Sequence, residues 1–277
     1  MGDVILTMKG IDKSFPGVHA LDHVDLEVRK GEVHALMGEN GAGKSTLMKV
    51  LTGIYSKDSG TITFEGREVE FTNPREAQDA GIVIVHQELN MLGHLTVAQN
   101  IFIGREFMKG KFIDDRKMNE EARKLFDQLG IDIDPTETMS RLTVGKQQMC
   151  EIAKAISHDA KVIIFDEPLV NLDFHHKKSL IRLIKMLKAK YKKTIIIISN
   201  DSDLLYSLAD DLIILAADTI VVSGRATDLF KSVELLKKYK IDVPDLVSFV
   251  TKARDKNVKL SYQKDILDLI KDVYKHV

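Results

Sequence analysis

The spacing of hydrophobic and polar positions changes several times along the chain. Between Val4 and Gly38, short apolar runs rich in β-branched residues alternate with turn signals such as the Phe-Pro-Gly at 15–17. This pattern predicts small antiparallel strands that lead into a core strand. A glycine-rich loop and an apolar helical segment follow, and strand alternation returns around Gly66. We therefore expect a mixed β layer at the start of the chain.

The middle of the chain passes from strand to helix and back to strand. An apolar run at 81–88 predicts a buried strand, and helical spacing over 96–157 predicts a helical subdomain at about 88–155. The run at 161–168 is apolar at most positions, which is typical of a central parallel strand, and 194–199 repeats this character after a helical segment. Strand, helix and strand in this order predict a parallel α/β core.

The last part of the chain predicts a hairpin and a helical tail. Residues 211–224 alternate as two strands that turn near Ala217 and Asp218, although the turn contains no glycine. Amphipathic spacing then predicts three short helices, at about 232–239, 244–256 and 263–276. We expect the division between a main domain, 1–224, and a small helical module, 225–277, to fall between these two parts.

The composition excludes several classes of protein. With 44% hydrophobic and 29% charged residues among 277, the chain resembles folded globular proteins rather than disordered ones. The net charge of -1 creates no global attraction for nucleic acid, so we expect no nucleic-acid partner. The single cysteine, Cys150, is expected to be a buried helix residue in a reducing cytosol. No apolar stretch is long enough for a membrane helix, so we expect that the protein is not itself a pore.

The strongest motif is a phosphate-binding loop at 38–46, GENGAGKST, placed between a predicted strand and a predicted helix. In this pattern Gly41 and Gly43 let backbone N–H groups surround phosphates, Lys44 brings positive charge to the β and γ groups, and the Ser45 hydroxyl can hold Mg²⁺. The loop alone leaves GTPases, kinases, helicases and transport ATPases open. The residues of the loop that we predict to bind nucleotide are Gly38, Glu39, Asn40, Gly41, Ala42, Gly43, Lys44, Ser45 and Thr46.

Two adjacent carboxylates end the apolar run at 161–168. Asp166 and Glu167 lie at the carboxyl end of the predicted strand, where ligands bind in open α/β sheets. We predict that Asp166 completes the Mg²⁺ shell through water and that Glu167 orients or deprotonates an attacking water. An isolated pair of this kind is often only a turn at a strand end, but the phosphate loop upstream favours the functional interpretation.

Five segments together resemble ABC ATPases in order and spacing. They are the phosphate loop, Gln87 after an apolar strand, LTVGKQQ at 142–148, DEPLVNLD at 166–173 and ISND at 198–201. The resemblance spans about residues 4–224, and LTVGKQQ is similar to the family signature sequence. It implies an α/β fold with a RecA-like phosphate-loop NTPase core, an antiparallel β subdomain, the helical subdomain and the small C-terminal module.

The resemblance also implies roles for single residues. Phe15 would stack on adenine, Gln87 would contact Mg²⁺ and the attacking water, and Thr143 with Gly145 would reach the γ-phosphate held by a partner subunit. ATP and Mg²⁺ are the implied ligands. A second ATPase cassette, in a homodimer or a heterodimer, and transmembrane permease subunits are the implied partners, which would hold the protein on the inner face of the cell membrane.

Two positions depart from the family pattern. Lys146 stands where the signature usually has glutamine or another polar residue, and Asn200 stands in place of the switch histidine. An amide can hydrogen-bond to phosphate or water but cannot take up a proton near neutral pH. Asn200 could therefore keep the geometry while slowing hydrolysis. The alternative function is a scaffold that dimerises on ATP with little turnover; an ABC ATPase of DNA repair or translation has no support from a coiled coil or a basic arm.

The two parts of the chain resemble different transporters. Residues 1–168 resemble the first cassette of bacterial importers of ribose, galactose and xylose, whereas 169–277 resemble ATPases of energy-coupling-factor importers for vitamins and metals. Lysines outnumber arginines 13 to 7 up to Pro168 and 17 to 3 after it. These differences suggest a chimera joined near Pro168; one natural, divergent cassette is the alternative. Sugar import is the favoured process, and vitamin or metal import is the alternative.

One further pair of side chains is given a structural interpretation. His175 and His176 begin a predicted helix, where neighbouring residues point to different sides, and no other metal-binding residue is close in sequence. We expect both imidazoles to be solvated and to form no metal site.

Overall fold

The computed structural model describes residues 3–86, 90–170 and 172–276, without the side chain of His276. The chain divides into two compact units, and each is described by itself. Met1–Pro74 and Thr194–Val277 form the first unit, and Arg75–Lys193 form the second.

The strands and helices alternate from the beginning of the chain to its helical end. In chain order the strands are β1 Val4–Phe15, β2 Val18–Arg29, β3 Val33–Met37, β4 Ser59–Phe64, β5 Arg67–Val69, β6 Ile82–Val85, β7 Met108–Lys109, β8 Phe112–Ile113, β9 Val162–Asp166, β10 Thr194–Ile198, β11 Asp211–Ala216 and β12 Thr219–Arg225. The helices are α1 Lys44–Leu51, α2 Pro74–Ala80, α3 Val97–Phe102, α4 Asp115–Leu129, α5 Val144–Ile156, α6 Phe174–Ala189, α7 Ser202–Leu208, α8 Ala226–Leu229, α9 Val233–Lys238, α10 Asp245–Asp255 and α11 Ile266–His276.

The first unit contains strands of two kinds. An antiparallel sheet has the order β2-β1-β4-β5, and its strands bury alternate residues such as Leu6 and Met8. The other strands of this unit follow the order β12-β11-β3-β10, in which β10, β3 and β11 are parallel and β12 is antiparallel. Every residue of β3 and β10 is buried, as expected for strands covered on both faces. The mixed β layer and the parallel core predicted from the sequence are thus confirmed.

The predicted hairpin near Ala217 and Asp218 is also confirmed. These two residues join β11 to β12, and their φ angles are 47° and 63°. A two-residue turn with both φ angles positive matches the twist of antiparallel strands, but glycine or asparagine normally occupies it. The chain therefore adopts a turn whose conformation its side chains do not favour.

The helical tail belongs to the first unit. The three predicted helices correspond to α9, α10 and α11, and the short α8 is an additional helix that the sequence pattern did not indicate. Val250, Leu260 and Leu269 form a small buried cluster in this tail. Its contacts with the rest of the unit include an ion pair, with Lys240 Nζ 2.7 Å from Glu39 Oε1, and a hydrogen bond from the Asp245 N–H to Asp203 Oδ1 at 2.7 Å. The boundary at 224/225 stays a prediction.

The second unit combines two parallel strands with helices. β6 pairs with β9, and both are almost completely buried. Thr96 and Gln99 form a reciprocal capping box at the start of α3, and Gly130 ends α4 in a left-handed conformation. A short hairpin, β7–β8, lies within the region predicted to be mainly helical. In the described parts of the chain, no helix is both long enough and apolar enough to cross a lipid bilayer.

Candidate functional site

The phosphate loop, residues 38–46, lies in the first unit between β3 and α1. Gly38, Gly41 and Gly43 have φ angles of 154°, 86° and 93°. A Cβ atom at Gly38 would lie 2.1 Å from the Leu215 carbonyl oxygen, and one at Gly43 would lie 2.4 Å from the Ala20 carbonyl oxygen. Two of the three glycines are therefore required by neighbouring backbone, whereas Gly41 has open space and is required only by its conformation.

Lys44 is the first residue of α1, and its side chain turns back over the loop. The residue is only 7% exposed. Its Nζ donates to the carbonyl oxygens of Gly38, at 2.6 Å, and Glu39, at 3.0 Å. A buried ammonium group thus lies over the loop that leads into the N-terminus of α1. Such an arrangement of a cation and helix N–H groups attracts phosphate.

Asn200 contacts the same loop from the end of another strand. β10 runs parallel to β3 with Ile198 opposite Leu36, so the two strands end at the same edge. Beyond this edge Asn200 Nδ2 donates to Asn40 Oδ1 at 3.2 Å. The structure therefore brings together the predicted switch position and the phosphate loop. The group at this position is an amide that keeps its protons.

Phe15 ends β1 in the same unit and is half-buried. Its ring contacts Tyr55 edge to face, with 5.1 Å between centroids, and Lys13 Nζ lies 5.5 Å from its centroid. The side chain is therefore held by an aromatic contact on the antiparallel sheet. Its role as an adenine platform stays a prediction.

Asp166 and Glu167 occupy the end of β9 in the second unit. Asp166 is 9% exposed, and Glu167 is partly buried. The φ angle of Glu167 is 48°, in the left-handed region that non-glycine residues rarely adopt. Such a conformation costs about 1–2 kcal/mol and persists only where the surrounding structure imposes it. Gln87, the third residue predicted near Mg²⁺, lies outside the described residues.

The signature segment begins α5 in the second unit. Thr143 caps this helix, because its hydroxyl accepts from the Lys146 N–H at 3.4 Å. Gly145 is buried beneath an imidazole: a Cβ atom there would lie 2.2 Å from His176 Cδ2. His176 Nδ1 is 2.8 Å from Asp173 Oδ2, which fixes the ring in this place.

The interpretation of His176 as a solvated side chain is therefore wrong. His175 is exposed as predicted, but the ring of His176 covers the signature glycine. The expectation failed because contact with α5 is tertiary and leaves no trace in the local pattern. The one available signal was the spacing of Asp173 and His176, which are neighbours on one helical face.

A buried hydrogen bond connects the signature helix to the carboxylate turn. Gln148 Nε2 donates to the Pro168 carbonyl oxygen at 2.8 Å. This bond joins α5, with Thr143 and Gly145 at its start, to the segment that carries Glu167. The sequence pattern gave no indication of this role for Gln148.

Comparison with known proteins decides the family. The sequence model described as ABC transporter matches residues 21–170, which is more than half of the chain. The chain belongs to the ABC transporter family. The match includes the phosphate loop, the signature segment and the carboxylate turn. Phe15 and Asn200 of this ABC cassette lie outside the matched residues.

The curated relatives of the cassette are longer proteins. It is 51% identical over 208 residues to the putative ribose/galactose/methyl galactoside import ATP-binding protein 2 of Burkholderia cenocepacia, a match that covers 74% of this chain and 40% of the relative. It is 47% identical over 240 residues to the xylose import ATP-binding protein XylG of Geobacillus kaustophilus, which covers 86% of this chain and 47% of the relative. The matched segments thus cover less than half the length of these relatives.

Solved structures confirm the fold class of the ABC cassette. The ADP conformation of MJ1267, an ATP-binding cassette of an ABC transporter, has a TM-score of 0.75 and 27% identity, covering 87% of this chain and 100% of that one. The cbiO1 protein of Clostridium perfringens, part of the ABC transporter complex cbiONQ, has a TM-score of 0.74 and 25% identity, covering 90% and 99%. The expected α/β phosphate-loop fold is therefore correct.

Two buried titratable groups of the cassette lie next to each other on α5. Burial raises the pKa of the Cys150 thiol to about 12, so this cysteine is an inert core residue, as expected. Burial raises the pKa of the Glu151 carboxyl to about 7, although the Asn90 N–H donates to its Oε1 at 3.3 Å and opposes the shift. The charge of Glu151 therefore changes near neutral pH.

Proposed function

We propose that this chain is the ATP-binding and ATP-hydrolysing motor part of an ABC importer of the sugar type. The observation that carries this proposal is the phosphate loop, in which Gly38 and Gly43 leave no room for a Cβ atom and Lys44 is held over the loop. The names of the curated relatives, which describe import of ribose, galactose and xylose, support the choice of sugar.

The loop residues suit a triphosphate with Mg²⁺. The backbone of 38–46 and the Lys44 ammonium group would bind the β- and γ-phosphates, with Phe15 against the adenine. The Ser45 hydroxyl and the Asp166 carboxylate, both oxygen donors that Mg²⁺ prefers, would hold the metal together with Gln87. When bound, Mg²⁺ would neutralise charge on the phosphates.

Hydrolysis would depend on few groups because phosphoryl transfer needs mainly positioning and charge stabilisation. Glu167 would accept a proton from the attacking water, and Asn200 would orient this water or a phosphate oxygen through its amide. Thr143 and Gly145 of a second cassette, identical or related, would complete the site. Closing and opening of the two cassettes would drive a membrane permease at the inner face of the membrane.

The proposed substrate class agrees with the extent of similarity. The match to the xylose import protein covers 86% of the chain, which is more than residues 1–168 contain. The resemblance of 169–277 to vitamin and metal importers, and the chimera it suggests, stay hypotheses. Import of a vitamin or metal is the alternative process for the same motor.

Release of phosphate tests the proposal. The purified chain with ATP and Mg²⁺ is expected to release phosphate at a rate per chain that rises with protein concentration, because two cassettes form each site. Glu167→Gln should lower kcat by at least about 100-fold, since it removes the general base. The exposed Glu120→Gln should leave the rate unchanged. Turnover that survives Glu167→Gln would contradict the assigned mechanism.

Asn200 favours a second candidate function, a cassette that dimerises on ATP with little hydrolysis. Its amide cannot exchange a proton near neutral pH, and it is hydrogen-bonded to Asn40 in the phosphate loop. The same assay separates the two functions. Nucleotide binding and dimerisation without phosphate release at any protein concentration would support the scaffold and exclude the motor.

A further inference from the structure

Four potential metal ligands meet on the hairpin formed by β1 and β2. Asp12 lies in β1, and His19, Asp22 and His23 lie in β2. Side-chain ligand atoms of Asp12, His19 and Asp22 all lie within 4.8 Å of one another. None of these four side chains has a role in the proposed nucleotide chemistry, and the described residues show them clustered at one place on the antiparallel sheet.

The distances within this cluster suit a small cation. His19 Nε2 lies 3.1 Å and 3.2 Å from the two carboxylate oxygens of Asp12. His23 Nδ1 lies 3.6 Å from Asp12 Oδ2 and 2.7 Å from Asp22 Oδ1. A tetrahedral ion with bonds near 2.0–2.2 Å holds its ligand atoms about 3.3 Å apart. The imidazole nitrogens thus lie 2.7–3.6 Å from the aspartate oxygens that they contact, which is near this spacing.

The backbone of the hairpin is irregular where these residues lie. The pairing of β1 with β2 shifts register between Met8 and Ile11, again before Lys13, and again before Ser14. His23 has a φ angle of 45°. Successive side chains of a regular strand point to opposite faces, but irregularities of this kind redirect them. The irregular backbone therefore allows two neighbouring residues, Asp22 and His23, both to lie close to Asp12 on the partner strand. It also allows their two side chains to contact each other.

The charges at the cluster leave room for a cation. Among the described residues, the ion-pair partners recorded for Asp12 and Asp22 are imidazoles, with no lysine or arginine. A second group of possible ligands, Glu32, His34 and Asp211, is different. There, Arg225 Nη1 lies 3.3 Å from Glu32 and 3.2 Å from Asp211, so both carboxylates already have a cationic partner. The hairpin cluster is thus the better candidate of the two.

We propose that Asp12, His19, Asp22 and His23 bind one divalent transition-metal ion of the zinc class. Two imidazole nitrogens and two carboxylate oxygens form a ligand set that suits Zn²⁺ or Co²⁺ better than Mg²⁺, which prefers oxygen alone. The ion connects β1 to β2 across the hairpin, with Asp12 before the turn at Pro16 and Gly17 and the other ligands after it. It therefore stabilises the hairpin, and the surface position of the cluster predicts micromolar rather than tighter affinity.

Cobalt provides the probe because its visible absorption reports coordination. The full chain, free of nucleotide and of any histidine tag, is titrated with Co²⁺ while heat and absorption are followed. We expect one strongly bound ion per chain and a rise in the melting temperature. His19→Gln and Asp12→Asn should each weaken binding by at least about tenfold and abolish the rise. His175→Gln, an exposed histidine of the second unit, is the matched control and should change neither.

Two results would overturn the site. One is the absence of any saturable Co²⁺ binding at millimolar metal, which would leave the cluster as a set of hydrogen-bonded side chains. The other is binding that His19→Gln and Asp12→Asn leave unchanged while His175→Gln weakens it, which would place the metal elsewhere. Circular dichroism of each variant shows whether it is folded. If one of the two variants, His19→Gln or Asp12→Asn, does not fold, the other still tests the site.

Discussion

At the scale of single residues, backbone conformation explains several positions that side-chain chemistry does not. Gly43 lies at the start of α1 with a φ angle of 93°, and its Cα faces the Ala20 carbonyl. Glu167 has a positive φ angle without being glycine. Both residues are among the positions that we assign to phosphate chemistry, where strain is commonly retained.

Substitution of Gly43 separates steric conflict from conformational strain. Gly43→Ala should lower the free energy of unfolding by more than about 2 kcal/mol, because the new Cβ meets the Ala20 carbonyl as well as an unfavourable φ angle. Gly104→Ala is the control: its φ angle is 74° but nothing lies within 4 Å, so a loss of about 1 kcal/mol is expected. Urea unfolding measures both, and equal losses would refute the steric argument.

Glu151 predicts a specific pH dependence of stability. Its pKa is about 7 in the folded protein, against an ordinary 4.5. Between these values the folded state binds more protons than the unfolded state, so the free energy of unfolding falls as pH rises through this window. Glu151→Gln removes this pH-dependent decrease in the free energy of unfolding. Relative to the parent, the variant should gain about 2–3 kcal/mol between about pH 5 and pH 8.

Urea unfolding at the two pH values gives this difference directly. Glu120→Gln, which replaces an exposed carboxylate, should show no comparable gain. If Glu151→Gln differed from the parent by the same amount at both pH values, Glu151 would not change its charge in this range.

The sequence predicted the chemistry of single residues better than their contacts. The phosphate loop, Asp166 and Glu167 follow from residue type and spacing, because motif chemistry is local. The ring of His176 over Gly145, and the bond from Gln148 to Pro168, depend on how α5 packs against α6 and the strand end. Burial of Glu151 is likewise a tertiary effect. Local patterns do not specify such contacts.

At the scale of elements, periodicity predicted strands and helices well where they are long. The hairpin of β11 and β12 was predicted from alternation, although its turn residues argue against it. A second hairpin provides a comparison. Glu65 and Gly66 join β4 to β5 with φ angles of 50° and 77°, and this turn has the same length but does contain glycine. The β7–β8 hairpin was missed because strands of two residues carry no period.

These two turns allow a reciprocal test. Changing Ala217→Asn and Asp218→Gly together should raise the free energy of unfolding by about 1 kcal/mol, because both residues then favour positive φ angles. The Asp22 N–H keeps its bond to the carbonyl at 218. Conversely, Gly66→Asp should lower stability by about 1 kcal/mol. If the Ala217 and Asp218 changes were destabilising, the turn would not be the strained element that its φ angles indicate.

At the scale of the whole molecule, the hypothetical junction near Pro168 lies within a compact unit. Arg75–Lys193 form one body, and the carbonyl of Pro168 itself accepts the buried bond from Gln148. Helix α6, after the junction, supplies the imidazole that covers Gly145. A chimera joined here would therefore need matched packing on both sides of α5. The sequence suggested the junction and a need for shared packing in the sheet, but not the contacts that α5 makes on both sides of it.

Binding of ATP at the phosphate loop is the claim on which the assigned function depends, and calorimetry tests it most directly. ATP is titrated into the full chain and into Lys44→Ala, with Mg²⁺ in excess. The account predicts saturable heat with one nucleotide per chain, and at least tenfold weaker binding by Lys44→Ala, a loss of about 1.4 kcal/mol or more. No heat from the parent at millimolar ATP, or identical affinities of the two proteins, would contradict it.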